Sequence, residues 1–168
     1  MTDVSAAGVY LGRSAGFAPC TAEAVTVLLD HYGIDCTGKR AVVIGRSPVV
    51  GRPAAMLLLE RNATVTVCHT KTRALSDVTR EADIIVSAAG AAGCLTAAHV
   101  RPGQTIIDVS ANWDAAKNTI VGDADFDAAA SIVDAITPVP GGVGAVTSAV
   151  LMRHVVQAAE RTLEGGNL

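Results

Sequence analysis

The stretch with the clearest chemical meaning is a glycine-bracketed turn, AVVIGRSPVVGRP, at residues 41–53. Gly45 and Gly51 lack side chains, so backbone N–H groups near them could approach a pyrophosphate closely. The N-terminus of a following helix would add donors and the positive end of its dipole. The spacing is Gly-x-Ser-x-x-x-Gly rather than Gly-x-Gly-x-x-Gly, and similar turns occur in proteins that bind no nucleotide. The turn, which contains Arg46 and Ser47, therefore predicts either a dinucleotide phosphate site or an ordinary strand–helix connection.

The end of the next predicted strand bears on which dinucleotide would bind. In dinucleotide folds a carboxylate about 20 residues after the first glycine usually holds the ribose 2′-hydroxyl of NAD. The sequence CHTKT at 68–72 contains no acid, and Arg46 can reach the same region to form charge-assisted hydrogen bonds with a 2′-phosphate. This pattern favours NADP over NAD. His69 is consistent with stacking near adenine or with capping a strand, and Arg73 is interpreted as a solvated charge.

Alternating strands and helices must hold this turn in place. Short apolar runs predict strands, and helical spacing of apolar residues predicts the helices between them. The predicted strands are 41–45, 63–69, 82–90, 104–110 and 131–136. The predicted helices begin with Thr21 as N-cap, after Gly51, around residue 72, and near Ala145 or Val146. This order predicts an α/β fold, a Rossmann-like doubly wound parallel sheet with helices on both faces.

Length and composition limit the classes of protein. The chain has 168 residues, of which 50% are hydrophobic and 3% aromatic, which is typical of a domain with an aliphatic core. Residues 1–20 are interpreted as an N-terminal arm or loop, and 21–168 as one dinucleotide-binding domain. A net charge of −3 argues against nucleic-acid binding and a polybasic membrane patch. No spanning apolar run and no secretory signal are recognised, so a cytoplasmic protein is expected.

The acidic residues and the thiols give weaker signals. Four cysteines and four histidines are scattered without metal-ligand spacing, so reduced thiols and no metal site are expected. Asp108, at a predicted strand end, is consistent with a functional or a capping role. Asp123, Asp125 and Asp127 lack the glycine and the late glutamate of a calcium loop, which argues against a metal there.

Several motifs in one order carry more information than the turn alone. GRSPVVGRP is followed by ATVTVCHTKT, ADIIVSAAG, IIDVS-x-N and ITPVPGGVG-x-x-T, and PCT and GDADF are also present. Over about residues 17–160 the chain resembles the cofactor domain of the methylenetetrahydrofolate dehydrogenase/cyclohydrolase family. The resemblance implies NADP-linked oxidation of methylene- to methenyl-tetrahydrofolate, which most members then hydrolyse to formyl-tetrahydrofolate.

The resemblance also implies roles for particular residues. The phosphates are expected beside the turn, the adenosine ribose beside the end of the second strand, and the rest of the cofactor along the third strand and the following loop. The implied cofactor-binding residues are Gly45, Arg46, Ser47, Gly51, His69, Thr70, Ala89, Gly90 and Asn112. Proline and glycine make a stiff loop with few side chains against a flat ligand. The implied substrate-cleft residues are Pro138, Pro140, Gly141 and Gly142.

Departures from the family pattern fall mainly on the substrate side. Family members have an N-terminal domain whose Tyr-x-x-x-Lys motif handles the folate chemistry, whereas Tyr10 here is not followed by that motif. Ser5 stands where the family has the second carboxylate of Asp-Val-Asp-Gly, and Ser110 stands for a glycine. Gly-Pro-Met-Thr becomes 144–147, Gly-Ala-Val-Thr. No catalytic residue is assigned, and Lys39 and Lys117 are interpreted as surface lysines.

The sequence therefore predicts an NADP-dependent oxidoreductase of one-carbon metabolism with a folate-type substrate. The cyclohydrolase step is not expected, because it depends on the family's lysine. A homodimer or a partner chain would supply the other side of the cleft. Two alternatives stay open: a non-catalytic NADP-binding subunit, and a dehydrogenase adapted to another substrate.

Overall fold

Five parallel strands form the central sheet of the protein, which a computed structural model describes for residues 1–163 and Gly165. The strands in chain order are β1 Arg40–Ile44, β2 Thr64–Cys68, β3 Ile84–Ser87, β4 Thr105–Asp108, β5 Asn112–Asp114, β6 Thr119–Val121 and β7 Ala135–Ile136. The sheet order is β2-β1-β3-β4-β7, and β5 and β6 form a separate antiparallel hairpin. From β1 the chain adds β2 on one side of the sheet and then β3, β4 and β7 on the other side. The strand order therefore reverses between β1 and β3, and doubly wound sheets bind ligands at this point.

Helices cover both faces of the sheet, which confirms the predicted fold class. They are α1 Asp3–Leu11, α2 Cys20–His31, α3 Gly51–Glu60, α4 Leu75–Arg80, α5 Phe126–Ala130 and α6 Val143–Leu163. One apolar cluster joins α2, α3 and α6 to the sheet, and a second joins the opposite face to α4 and α5.

The first cluster depends on small and aliphatic side chains rather than aromatic ones. Ala22 and Ala54 are fully buried and allow α2 and α3 to approach the sheet closely. Leu29 and Leu58 are also fully buried, and each such leucine contributes about 1.5–3 kcal/mol to folding. Strand residues 41–44 are buried on both faces, as a parallel strand in the middle of a sheet requires.

Some element boundaries differ from the sequence predictions. Residues 1–20 contain the helix α1, which weak apolar periodicity concealed. Its ends are set by local signals instead: Thr2 accepts a hydrogen bond from the Ser5 amide, and Gly12 ends the helix in the left-handed conformation. Helix α2 begins at Cys20 after Pro19, so Thr21 is not its N-cap.

The region after β4 differs most. The β5–β6 hairpin and α5 were not predicted, and the strand expected at 131–136 pairs only at Ala135–Ile136. Helix α6 begins at Val143, earlier than predicted. Residues 164 and 166–168 of the predicted domain lie outside the described residues.

Candidate functional site

The turn after β1 requires glycine at both of its bracketing positions. Gly45 has φ +117°, and a Cβ there would overlap the carbonyl oxygen of Ala88 in the chain after β3. A Cβ on Gly51 would overlap the carbonyl oxygen of Gly45. These two contacts hold the end of β1 close to the end of β3 and to the start of α3.

Ser47 caps the helix that follows the turn. Its Oγ accepts hydrogen bonds from the amides of Val50 at 3.1 Å and Gly51 at 3.4 Å, and its carbonyl accepts from the Arg52 amide at 3.1 Å. Pro53 has no N–H, so the first turn of α3 has no amide left for a ligand. The expectation that the helix N-terminus supplies amide donors is therefore wrong, although its dipole still favours an anion.

The free donors of this segment lie earlier, inside the turn. Among the described residues, no acceptor pairs with the amides of Arg46 and Ser47. A hydroxyl has two acceptor positions and one proton, so Ser47, which already accepts two hydrogen bonds, still has its proton to donate. The amides of Arg46 and Ser47, the Ser47 hydroxyl and the Arg46 guanidinium are thus available to an anion here, and the Val49 amide also has no acceptor among the described residues.

A cavity of about 320 Å³ opens at the carboxyl ends of the strands beside this turn. It brings together six of the predicted cofactor residues: Gly45, Arg46, Ser47, His69, Thr70 and Ala89. The remaining lining residues include Leu75 and Cys94, and no carboxylate is among them. Gly51, Gly90 and Asn112 lie outside the lining, and their roles in binding stay predictions.

His69 has a fixed orientation at the edge of this cavity. Its Nδ1 accepts a hydrogen bond from the Lys71 amide at 3.1 Å, and its own amide donates to Thr72 Oγ1 at 2.9 Å. The residue therefore caps the turn after β2 and lines the cavity at the same time, so the two alternatives left open by the sequence are compatible.

Asp123 organises the loops that border the cavity, and sequence reasoning missed it. The side chain is fully buried (0% exposed) and lies between β6 and α5. Its carboxylate accepts five hydrogen bonds of 2.7–3.0 Å, from the side chains of Ser87, Ser110 and Asn112 and the amides of Ala89 and Ala91. Burial opposes ionisation, but these hydrogen bonds together hold the Asp123 pKa below its ordinary value.

This network also explains one departure from the family pattern. The Ser110 hydroxyl donates to Asp123 at 2.7 Å and accepts from the Gly90 amide at 3.2 Å. Ser110 therefore belongs to the network that holds the predicted cofactor loop, whereas the sequence suggested a change on the substrate side. The Asn112 side chain is tied to the same carboxylate at 3.0 Å.

A second, larger cavity of about 400 Å³ lies beyond β4. Its lining includes Asp108, Lys117 and Val139. Asp108 is 2% exposed, and burial, aided by the charge of Asp123, raises its pKa to about 6 against hydrogen bonds from the amides of Ala124 and Ser110. This carboxyl can therefore exchange a proton near neutral pH.

The predicted substrate-cleft residues lie in the loop between β7 and α6. Pro138, Pro140 and Gly141 are exposed, and Gly142 packs so closely that a Cβ would overlap the Pro138 carbonyl oxygen. Their contact with a substrate stays a prediction.

In the described part of the chain, no three His, Cys, Asp or Glu residues are placed to hold a metal ion. Within the same residues, no helix has the length and apolar character needed to cross a bilayer.

A five-stranded parallel sheet with a glycine turn and a cavity at its reversal point defines a dinucleotide-binding domain of the Rossmann type. The particular family follows from comparison with known proteins. Residues 19–163 match the family described as tetrahydrofolate dehydrogenase/cyclohydrolase, NAD(P)-binding domain, and the chain belongs to this family.

Individual relatives show what share of their length this chain matches. The bifunctional protein FolD of Carboxydothermus hydrogenoformans is 54% identical over 157 residues, which are 93% of this chain and 55% of the relative. The crystal structure of the FolD enzyme from Campylobacter jejuni matches 95% of this chain and 58% of its own, at 44% identity and a TM-score of 0.90. The Trypanosoma brucei enzyme, solved with NADP cofactor and inhibitor, matches 96% of this chain and 57% of its own, at 37% identity and a TM-score of 0.89. The chain thus spans about half the length of the relatives it matches.

Proposed function

We propose that this chain binds NADP in the 320 Å³ cavity and forms the cofactor half of a methylenetetrahydrofolate dehydrogenase. The observation that carries the proposal is the joining of Arg46, Ser47, His69 and Thr70 in one cavity without a carboxylate. A relative solved with NADP supports the choice of cofactor.

The donors fit the charge of the cofactor. The amides of Arg46 and Ser47, with the Ser47 hydroxyl, would hold the pyrophosphate, and Gly45 leaves room for its approach. The Arg46 guanidinium and Thr70 would bind the 2′-phosphate, which a carboxylate at this place would repel. His69, with its ring held by the Lys71 amide, would border the adenosine end.

The cofactor supplies the hydride chemistry when bound, and the protein supplies position. Asp123 fixes the amides of Ala89 and Ala91 at the cavity, so the loop after β3 presents a constant surface. The Pro138–Gly142 loop would border the folate-type substrate on the other side. Orientation of two reactants is a large part of the rate enhancement in such reactions.

The substrate side requires a partner in this proposal. Helix α6 exposes Leu151, Met152, Val155 and Val156, each of them more than half exposed. A second copy of the chain, or a chain carrying the rest of the family's enzyme, would cover these side chains and close the cleft. The cyclohydrolase step is left out, because Lys117 is the only lysine that lines either of the two described cavities, and its side chain is exposed.

Two measurements test the proposal. Titration calorimetry is expected to show NADP binding more tightly than NAD, and equal or absent binding of both would contradict the cofactor assignment. A steady-state assay with methylenetetrahydrofolate and NADP, with and without the partner half of a relative, tests catalysis. If NADP binds but no NADPH forms either with or without the partner half, the proposed dehydrogenase role is wrong.

A non-catalytic NADP-binding subunit is the second candidate. The Ser5 hydroxyl, where the family has a carboxylate, is buried and accepts the Phe17 amide at 3.2 Å. It therefore serves the packing of the N-terminal segment. This candidate predicts that NADP raises the melting temperature whereas folate ligands leave it unchanged.

A further inference from the structure

Three side chains with the chemistry of a nucleophile, a base and an orienting acid meet where α2 packs on α6. Cys20 Sγ lies 3.7 Å from Nδ1 of His154, and Nε2 of the same ring lies 2.8 Å from Oε2 of Glu23. Arg153 pairs with the other carboxylate oxygen of Glu23. None of these residues lines the proposed NADP cavity.

The imidazole is held in one orientation. His154 is only 8% exposed, and its ring packs against Phe17 with centroids 4.8 Å apart. The guanidinium of Arg161 in turn lies over the Phe17 ring, 4.3 Å from its centroid. A carboxylate acceptor at Nε2 favours the tautomer with its proton there, which leaves the lone pair of Nδ1 facing the thiol.

The other three thiols are in different surroundings. Burial raises the pKa of Cys36 and of Cys68. Burial and the charge of Asp123 raise the pKa of Cys94 to about 11. Cys20 is partly exposed, as Cys94 is, and it is the first residue of the 12-residue helix α2, where it faces the His154 ring.

We infer that Cys20 is a nucleophilic thiol and a site of covalent modification by small disulfides, with His154 as its base and Glu23 as a positioning residue. In the exchange, Nδ1 of His154 takes the thiol proton and the Cys20 sulfur attacks one sulfur of the disulfide. The reagent's S–S bond breaks, and a new S–S bond joins Cys20 to one half. The other half departs as a thiolate with the bonding electron pair, and takes a proton from His154 or from water.

The experiment is timed reaction of the whole chain with 5,5′-dithiobis(2-nitrobenzoic acid), followed by peptide mapping. One fast thiol is expected per chain, and it should map to Cys20. Cys20→Ser should remove the fast phase and leave the slow reaction of the other thiols. His154→Asn should slow the fast phase by about tenfold, and Glu23→Gln by a smaller factor. His31→Asn, at the exposed end of α2, is the matched control and should change nothing.

The slow thiols distinguish loss of the base from a loosened fold. A variant that loosens the packing of α2 on α6 would expose the buried thiols and accelerate the slow phase, whereas loss of the base slows Cys20 alone. Three results would overturn the inference: Cys20 reacting as slowly as the buried thiols, the fast label mapping elsewhere, or His154→Asn leaving the Cys20 rate unchanged or raised. Glu23→Gln keeps the shape of its side chain, so it decides the matter if His154→Asn fails to fold.

Discussion

Ser110 donates a hydrogen bond to Asp123 at 2.7 Å and so joins the end of β4 to the loop that precedes α5. The same carboxylate oxygen accepts from Ser87 in β3 and from the amide of Ala89. One buried charge therefore connects three loops at the carboxyl edge of the sheet. Because the charge is satisfied by five donors, it fixes the loops rather than taking part in proton transfer.

Replacement of that charge tests this role. Asp123→Asn keeps the size of the side chain but places an NH₂ group among donors, so the free energy of unfolding should fall by about 3 kcal/mol. NADP affinity should fall as well, because the Ala89–Ala91 loop loses its anchor. Urea unfolding measures the first effect and calorimetry the second. Asp127→Asn, which changes an exposed aspartate of α5, is the control. Equal stability of the two variants would contradict the anchoring role.

Asp108 should give the protein a pH-dependent stability of unusual sign. Its pKa is raised in the folded state to about 6 from an ordinary 3.8, so the folded chain binds more protons between these values than the unfolded chain does. The contribution to stability is full below about pH 4 and is lost as pH rises through 6, by about 3 kcal/mol. Asp108→Asn should remove this slope. Urea unfolding at several pH values between about 4 and 7 gives the free energy of unfolding of wild type and variant. If the two free energies change with pH in the same way, the pH dependence does not come from Asp108.

The elements that local sequence determines were predictable. Strand β1 follows from a β-branched run and the turn after it from two glycines, and the structure brings six of the predicted residues to one cavity. Helix α1 depends on its caps, Thr2 and Gly12, more than on apolar spacing, so periodicity alone missed it.

The Asp123 network was not predictable by spacing rules. Its five donors come from residues 87–112, and only the folded sheet brings them to one point. An aspartate among other acids in GDADF has the local appearance of a surface loop. The similarity of that motif to the family was the one available signal, and it did not indicate a buried hydrogen-bond acceptor.

The close contact at Gly45 predicts a large effect from a single methyl group. Gly45→Ala adds a Cβ that overlaps the Ala88 carbonyl, in a backbone conformation with φ +117°, and should cost about 3 kcal/mol or more. Gly33→Ala is a matched control with φ +66° and open space around its Cβ, so it should cost only about 1–2 kcal/mol. Thermal unfolding of both variants compares them. Similar losses would mean that the backbone conformation, and not the contact with β3, decides the requirement for glycine.

Ser47 should affect stability and binding together. Ser47→Ala removes the acceptor for the amides of Val50 and Gly51, and the loss of this cap should cost about 1 kcal/mol of stability. It also removes a donor to the pyrophosphate, so the NADP dissociation constant should rise about tenfold. Ser148→Ala, an exposed serine of α6, should alter neither quantity. A destabilised variant with unchanged NADP affinity would assign Ser47 to the helix cap alone.

Arg46 should decide the choice between the two nicotinamide dinucleotides. It is an exposed side chain that lines the cavity in which no carboxylate is found, so its guanidinium is free to pair with a 2′-phosphate. Arg46→Ala should weaken NADP binding by about 10- to 100-fold and leave NAD binding nearly unchanged, because only NADP carries that phosphate. Arg52→Ala removes another exposed arginine, one that does not line the cavity, and it controls for the loss of net charge. Calorimetry with both cofactors at two salt concentrations separates a local contact from a general field, since screening weakens only the latter strongly. If Arg46→Ala and Arg52→Ala weaken both cofactors alike, the preference for NADP does not come from this side chain.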